Sequence, residues 1–126
     1  MENRPTNSEL EILGVLWSKG PSPVREVHEE LAKNRSVGYT TVLKLMQIMA
    51  DKGLVTRDTE NRAHVYSPAV RQSDAQRSMT DDLVARLFGG SAARLALQAL
   101  GSKRATPAEL AEIRTLLDRL EEEETK

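Results

Sequence analysis

The sequence predicts a mainly α-helical protein with one small β-hairpin near the middle of the chain. Three observations predict this fold class. Segments of the form Thr-x-x-Glu begin at Thr6 and Thr106, and such segments are typical of helix N-termini. Apolar residues recur at spacings of three and four over most of the chain, as on one face of a helix. Only residues 54–67 show the period-two alternation of strands around a polar turn.

Length and composition limit the class of protein. The 126 residues are 39% hydrophobic and 29% charged, which is enough for one compact domain or two small ones. No run of 18 apolar residues and no signal peptide is found, so we expect a cytoplasmic protein without direct membrane insertion. Cysteine is absent and the two histidines lie in different segments, which excludes thiol chemistry. We therefore expect no metal and no cofactor.

The first helix is expected over residues 7–19. A capping box is predicted at its start, because the Thr6 hydroxyl can accept from the Glu9 amide while the Glu9 side chain returns to Thr6. Gly20 is expected to end the helix with a left-handed cap. Trp17 follows the leucine spacing of this helix, which predicts that its ring belongs to the core.

Two further helices are expected before the hairpin. Ser22 as N-cap and Pro23 at the first helical position predict a helix over residues 23–33. A third helix is expected over residues 40–52, with Gly53 at its end. Its predicted buried stripe consists of Val42, Leu45, Met46 and Met49. Its other face carries Thr41, Lys44, Gln47 and Asp51.

Strands are expected at residues 54–58 and 63–67, joined by a polar turn and ended by Pro68. The rest of the chain contains no strand signal. It predicts a helix over residues 71–88, a short helix over 92–100 and a last helix after the second capping box, with a frayed tail at 121–126.

Three helices followed by a hairpin are the element order of a winged helix-turn-helix. Charge supports this interpretation, since residues 31–72 carry seven basic side chains against three acidic ones. In that fold the third helix enters the major groove and the hairpin lies beside the phosphates. A solvated helix with scattered charges is the structural alternative. The residues expected to contact DNA are Tyr39, Thr40, Thr41, Lys44, Gln47, Arg57 and Arg62.

The apolar stripe of the last helix has too few partners within one chain. Pairing with a second copy would cover it, although a self-contained helical subdomain is an alternative. We therefore expect a winged-helix DNA-binding domain at residues 1–70 and a helical dimerisation domain at residues 71–126. The residues expected at the dimer interface are Leu83, Leu87, Phe88, Leu110, Ile113, Leu116, Leu117 and Leu120.

Two of the aromatic and imidazole side chains, Tyr39 and His64, allow more than one role. Tyr39 either reaches a phosphate or sugar, or is buried with its hydroxyl hydrogen-bonded. His64 either packs or hydrogen-bonds within the hairpin, or contacts a phosphate. His28 lies on the polar side of its helix and is expected to be exposed.

Several segments together resemble successive motifs of the penicillinase-repressor family, the BlaI/MecI-type regulators. They are Glu11 to Trp17, Pro23 to Val27, Tyr39 to Val42, Lys52 to Val55, His64 to Tyr66 and Leu87 to Ser91. The resemblance implies a homodimeric repressor that binds a dyad-symmetric operator in double-stranded DNA. In well-known members of the family, a membrane sensor-protease senses a β-lactam, after which the repressor is cleaved and leaves the DNA.

The sequence departs from the family pattern at Ile48, at the pair Gln98-Ala99 and in its lack of cysteine. Ile48 stands where many members have an arginine, which puts the operator sequence in doubt. Gln98-Ala99 is the counterpart of the Asn-Phe pair at which the family's proteases cut, so regulated cleavage there is unsupported. The absence of cysteine excludes the thiolate copper sensing of some relatives.

Two classes of function follow from the sequence. The first is a DNA-binding transcriptional repressor. The second is a dimeric helical adaptor that binds a protein partner and not DNA, which the modest charge of the third helix permits. We do not expect an enzyme, because no nucleophile motif, metal-ligand spacing or glycine-rich phosphate loop is present.

Overall fold

A computed structural model describes residues 4–60 and 64–125, and it confirms a mainly α-helical fold with a small sheet. The chain divides into two compact units, the first ending at Asp81 and the second beginning at Asp82. The elements in chain order are α1 (Asn7–Lys19), β1 (Ser22–Pro23), α2 (Val24–Ala32), α3 (Tyr39–Lys52), β2 (Val55–Asp58), β3 (Val65–Pro68), α4 (Gln72–Leu87), α5 (Ala92–Ser102) and α6 (Pro107–Glu124). The division into a DNA-binding part before residue 71 and a dimerising part after it concerns function and stays a prediction.

The bounds and capping box of α1 are confirmed. The Thr6 amide donates to Glu9 Oε1 at 2.9 Å, and the Glu9 amide donates to Thr6 Oγ1 at 3.2 Å. At the other end the Gly20 amide donates to the Leu16 carbonyl at 2.9 Å. The predicted left-handed cap is wrong, because Gly20 combines a φ of 92° with an extended ψ of −175°. The extended ψ leads the chain directly into a strand.

That strand, β1, has no counterpart in the sequence prediction. Ser22 pairs with Tyr66 of β3, which gives a three-stranded antiparallel sheet in the order β1-β3-β2. The predicted N-cap role of Ser22 is therefore wrong, and its hydroxyl donates to the Gly20 carbonyl at 2.9 Å. Pro23 takes the N-cap position of α2 without a capping side chain.

The predicted hairpin is confirmed as β2 and β3. Val55 pairs with Pro68 and Asp58 pairs with Val65, so Pro68 is the last residue of β3 and does not lie beyond it. Asp58 begins the turn by accepting the Glu60 amide at 2.9 Å. Residues 61–63 complete the connection and lie outside the described part of the chain.

One hydrophobic core fills the first unit. It consists of Ile12, Leu13, Val15, Leu16, Val24, Val27, Val42, Met46, Met49, Leu54, Val55 and Tyr66. Trp17 is half-buried against this core, and its Nε1–H donates to the Val70 carbonyl at 3.0 Å. The indole lies at the margin of the core, where this N–H finds its acceptor. The contact fixes the chain that leaves β3 against α1.

A partly buried ion pair joins the start of α1 to the end of α3. Lys52 Nζ lies 2.7 Å from Glu9 Oε1. The Glu9 side chain is only 3% exposed, whereas that of Lys52 is 27% exposed. The same carboxylate accepts the Thr6 amide, so Glu9 serves the helix cap and the interhelical contact together.

The second unit contains the end of α4 together with α5 and α6. Gly89 and Gly90 have positive φ and end α4, and Ser91 caps α5 by accepting the Arg94 amide at 3.1 Å. The second capping box is confirmed, with the Thr106 amide 2.8 Å from Glu109 Oε1. The predicted frayed tail is wrong, because α6 continues to Glu124.

Hydrogen bonds from Thr106 hold the pKa of Glu109 below its ordinary value, mainly through the backbone amide and secondly through the hydroxyl. A lowered pKa means that this contact stabilises α6 above the ordinary carboxyl pKa. Its contribution is lost as the pH falls through the lowered pKa.

The second unit differs from the first in burial. No residue described in α5 or α6 is buried, and the leucines of α6 that form the predicted stripe are between 37% and 53% exposed. No helix in the described residues is long and apolar enough to cross a membrane.

We predict that Lys52→Ala lowers the free energy of unfolding of the first unit by about 1 to 3 kcal/mol, because it leaves the buried Glu9 carboxylate without its cation. Urea unfolding followed by the fluorescence of Trp17, which lies in the first unit, measures the change. Lys33→Ala is the control, since Lys33 forms an exposed pair with Glu30 and its removal should lower the free energy of unfolding much less. Equal losses for the two variants would show that the Glu9–Lys52 pair contributes no more to stability than the exposed Lys33–Glu30 pair.

Candidate DNA-binding surface

The core determines which face of α3 is free. Val42, Met46 and Met49 are fully buried, so side chains on the opposite side of the helix point away from the protein. Leu45, the fourth member of the predicted stripe, is half-buried at its margin. The exposed residues of the outward face are Thr40, Thr41, Lys44, Gln47, Ile48 and Asp51.

A groove runs between one side of α3, the first turn of α2 and the sheet. Tyr39, Leu43 and Gln47, spaced four residues apart on α3, form one wall. Arg57 of β2 and His64, which precedes β3, lie on the sheet side. The groove brings three of the predicted contact residues together, namely Tyr39, Gln47 and Arg57.

Arg25 also lines this groove, and the sequence prediction did not include it. Its guanidinium lies 3.3 Å from Glu29 and 3.8 Å from Glu26. These neighbouring glutamates made the first 30 residues acidic as a whole, which concealed Arg25 in a count of charges. Arg25 and Arg57 are the charged groups among the described lining residues together with the titratable His64, and no carboxylate lines the groove. The described lining of the groove is therefore basic, although Arg25 shares its charge with Glu26 and Glu29 beside it.

His28 is half-buried, so the prediction that it is exposed is wrong. Its Nε2 atom lies 2.8 Å from the Val37 carbonyl oxygen, which accepts the hydrogen bond. The imidazole and the Tyr39 ring meet edge to face, with centroids 5.9 Å apart and an interplanar angle of 76°. His28 thus connects α2 to the residues that begin α3.

Tyr39 is the first residue of α3 and is 45% exposed. The alternative in which its ring is buried is therefore wrong. His28 supports one edge of the ring, and the remaining surface faces the groove and solvent. A phenol at this position can donate to a phosphate oxygen.

The structure places the other predicted contact residues as follows. Thr40, Thr41 and Lys44 are exposed on the outward face of α3 and do not line the groove. His64 is exposed, so it does not pack inside the hairpin, while a hydrogen bond within the hairpin or a contact with a phosphate stays a prediction. Arg62 lies outside the described residues.

Comparison with known proteins gives one family and several relatives. Residues 5–119 match the model of the penicillinase repressor family. The "Transcriptional regulator BlaI" of Mycobacterium tuberculosis is 33% identical over 90 residues, which are 71% of this chain and 65% of that protein. The match thus spans slightly less than two thirds of the mycobacterial relative.

Two further relatives match over more of their length. The "Penicillinase repressor" of Bacillus licheniformis is 24% identical over 113 residues, covering 90% of this chain and 88% of the relative. The "Methicillin resistance regulatory protein MecI" of Mammaliicoccus sciuri is 21% identical over 114 residues, covering 90% and 93%.

Proposed function

The chain belongs to the penicillinase repressor family of transcriptional repressors, and we propose that it is a homodimer that binds a dyad-symmetric operator in double-stranded DNA. The observation that carries the proposal is the position of the polar face of α3 beside a groove whose described lining has two arginines and no carboxylate. A helix of this kind fits the major groove, and the adjacent cations meet the phosphates. Such a protein acts in the cytoplasm, where bacterial DNA is located.

The outward face of α3 supplies groups that can read base edges. Thr40 and Thr41 lie in its first turn and Lys44 one turn later, and all three are exposed on the face that would enter the major groove of DNA. Threonine can contact a thymine methyl group, and lysine can donate to guanine O6 or N7. Gln47 carries an amide that pairs with adenine N6 and N7.

The protein groove between α3, α2 and the sheet supplies groups that can contact the DNA backbone. Arg57 is exposed on β2, on the sheet side, and Arg25 projects from the first turn of α2. Their charges attract phosphates without distinguishing sequences, because every nucleotide carries the same phosphate. Tyr39 can also donate a hydrogen bond from its uncharged hydroxyl group to a phosphate oxygen. We propose the same phosphate-binding role for Arg62 from its place in the sequence alone.

Dimerisation is supported by the exposed leucines of the second unit. Leu116 and Leu117 of α6 are 42% and 53% exposed, and Leu83 and Leu87 of α4 are also exposed. Burial of such leucines against a partner stabilises the complex by roughly 25 cal/mol for each Å² of apolar surface removed from water. A second copy would present the same stripe about a two-fold axis, and this symmetry matches an operator with two half-sites.

Release from DNA by a membrane sensor-protease is a proposal taken from the family alone. The Gln98–Ala99 bond, at the family's cleavage position, lies inside α5 with both residues exposed. The sequence at that bond differs from the family's Asn-Phe pair. If such a protease acts on this chain, we expect it to cut at another bond.

The alternative function is a dimeric adaptor that binds a protein and not DNA. A mobility-shift titration of the full chain with genomic DNA fragments, repeated at several salt concentrations, separates the two functions. A repressor shifts particular fragments and does so less at high salt. An adaptor shifts none at any salt concentration.

We predict that Gln47→Ala weakens binding to the preferred operator by about 1 to 3 kcal/mol and relaxes the preference at one base pair in each half-site. The loss arises because a bidentate contact to one base disappears. Fluorescence-anisotropy titrations with the operator and with a random duplex measure it. If both duplexes lose the same affinity, Gln47 does not read a base.

We predict that Arg57→Ala weakens binding to operator and random DNA alike. The plot of log affinity against log salt should become shallower by roughly 2, since each copy loses one phosphate contact worth about 0.9 in slope. Lys33→Ala removes the same charge from outside the groove and should leave the slope unchanged. An unchanged slope for Arg57→Ala would remove this residue from the phosphate-binding set.

We predict that Leu116→Asp converts the dimer into monomers, because a carboxylate buried at the interface has no partner. Sedimentation velocity at micromolar concentration measures the change. Thr115→Asp is the matched control, since Thr115 is exposed on the opposite side of α6 from the leucines. A monomeric wild-type chain, or a dimeric Leu116→Asp variant, would contradict the proposed interface.

A further inference from the structure

Exposed large apolar side chains are confined to one helix of the first unit. Among its described residues, only Tyr39 and Ile48 expose a large hydrophobic side chain, at 45% and 46%, and both belong to α3. The other large hydrophobic side chains described there are buried or half-buried. A single exposed isoleucine is ordinary on a protein surface. Ile48 is of interest because it lies on α3, the helix whose exposed face is proposed to read DNA.

Ile48 is not needed to fill the core. Val42, Met46 and Met49 occupy the buried side of α3 completely. Ile48 does not line the groove beside the sheet either. It follows Lys44 by four residues, so these two side chains lie one above the other on the outward face.

We propose that Ile48 is a specificity-determining residue that recognises thymine through its 5-methyl group. This inference rests on the proposed DNA-binding function. An isoleucine side chain has neither donor nor acceptor, so it gains nothing from the hydrogen-bonding edges of bases. In the major groove the one apolar group that a base offers is the thymine methyl.

The position and stiffness of Ile48 support this role. Four residues of helix advance the chain by about 6 Å, so Ile48 meets a base pair roughly two steps away from the one that Lys44 meets. A β-branched side chain in a helix has one strongly preferred rotamer. The Cγ2 methyl group of Ile48 is therefore oriented before DNA arrives, and little χ1 freedom is lost on contact.

The test compares thymine with uracil, which differs by the methyl group alone. The full chain first selects its preferred duplex from a random library, and each thymine of that duplex is then replaced by deoxyuridine. At one position in each half-site, distinct from any thymine that Thr40 or Thr41 contacts, we expect uracil to lower the affinity of the wild-type protein by about 4-fold, the ratio that corresponds to one buried methyl group. Replacement in both half-sites should lower it by roughly 15-fold.

Variants assign that methyl contact to one side chain. Ile48→Ala should bind thymine and uracil at the sensitive position with equal affinity, and Ile48→Val should retain part of the difference. Lys44→Ala should bind both duplexes more weakly but keep the full difference. Because Ile48 is exposed, its variants should unfold at the same urea concentration as the wild type.

The outcomes separate this inference from the function on which it rests. If no sequence is selected from the library, the DNA-binding function itself is wrong. If a sequence is selected but uracil has no effect, or if Ile48→Ala still distinguishes uracil from thymine at every sensitive position, the role of Ile48 is wrong and the DNA-binding function remains.

Discussion

The first unit depends on the complete burial of one side of α3. Val42, Met46 and Met49 are packed against α1, α2 and the sheet without exposure to solvent. A rotation of the helix by half a turn would expose this stripe and bury Lys44 and Asp51 in its place. The rotational setting of α3 is therefore fixed by apolar burial. The same burial determines which face of α3 is available to a partner. The residues of that exposed face do not themselves belong to the core.

Contacts at both ends hold α3 in this setting. At its start, His28 donates to the Val37 carbonyl and meets the edge of Tyr39. At its end, Gly53 adopts a left-handed conformation, and Lys52 pairs with the buried Glu9. The polar face between these ends is thus presented by a rigid support, which reduces the entropy lost on binding.

The sequence predicted those features that local pattern determines. Capping boxes, glycine ends and three-to-four spacing are visible in neighbouring residues. They gave the bounds of α1 as found and those of α3 to within one residue.

Features that depend on distant partners were missed. The two-residue strand β1 is too short to show alternation and is defined by its pairing with Tyr66, and Ser22 looked like a cap because the same dipeptide often begins a helix. His28 looked exposed because its acceptor, Val37, lies beyond the end of its own helix. The outward position of Lys44 and Gln47 is confirmed, whereas their contacts with DNA stay predictions.

The anchoring of Trp17 has a spectroscopic consequence. Trp17 is the single tryptophan of the chain, and its indole is held at the core of the first unit by the Val70 carbonyl. Both tyrosines also belong to that unit, so the second unit contains Phe88 as its single aromatic residue. Intrinsic fluorescence therefore reports the unfolding of the first unit and is almost blind to the second. A melting curve recorded by tryptophan emission and one recorded by helical ellipticity will coincide only if the two units unfold together.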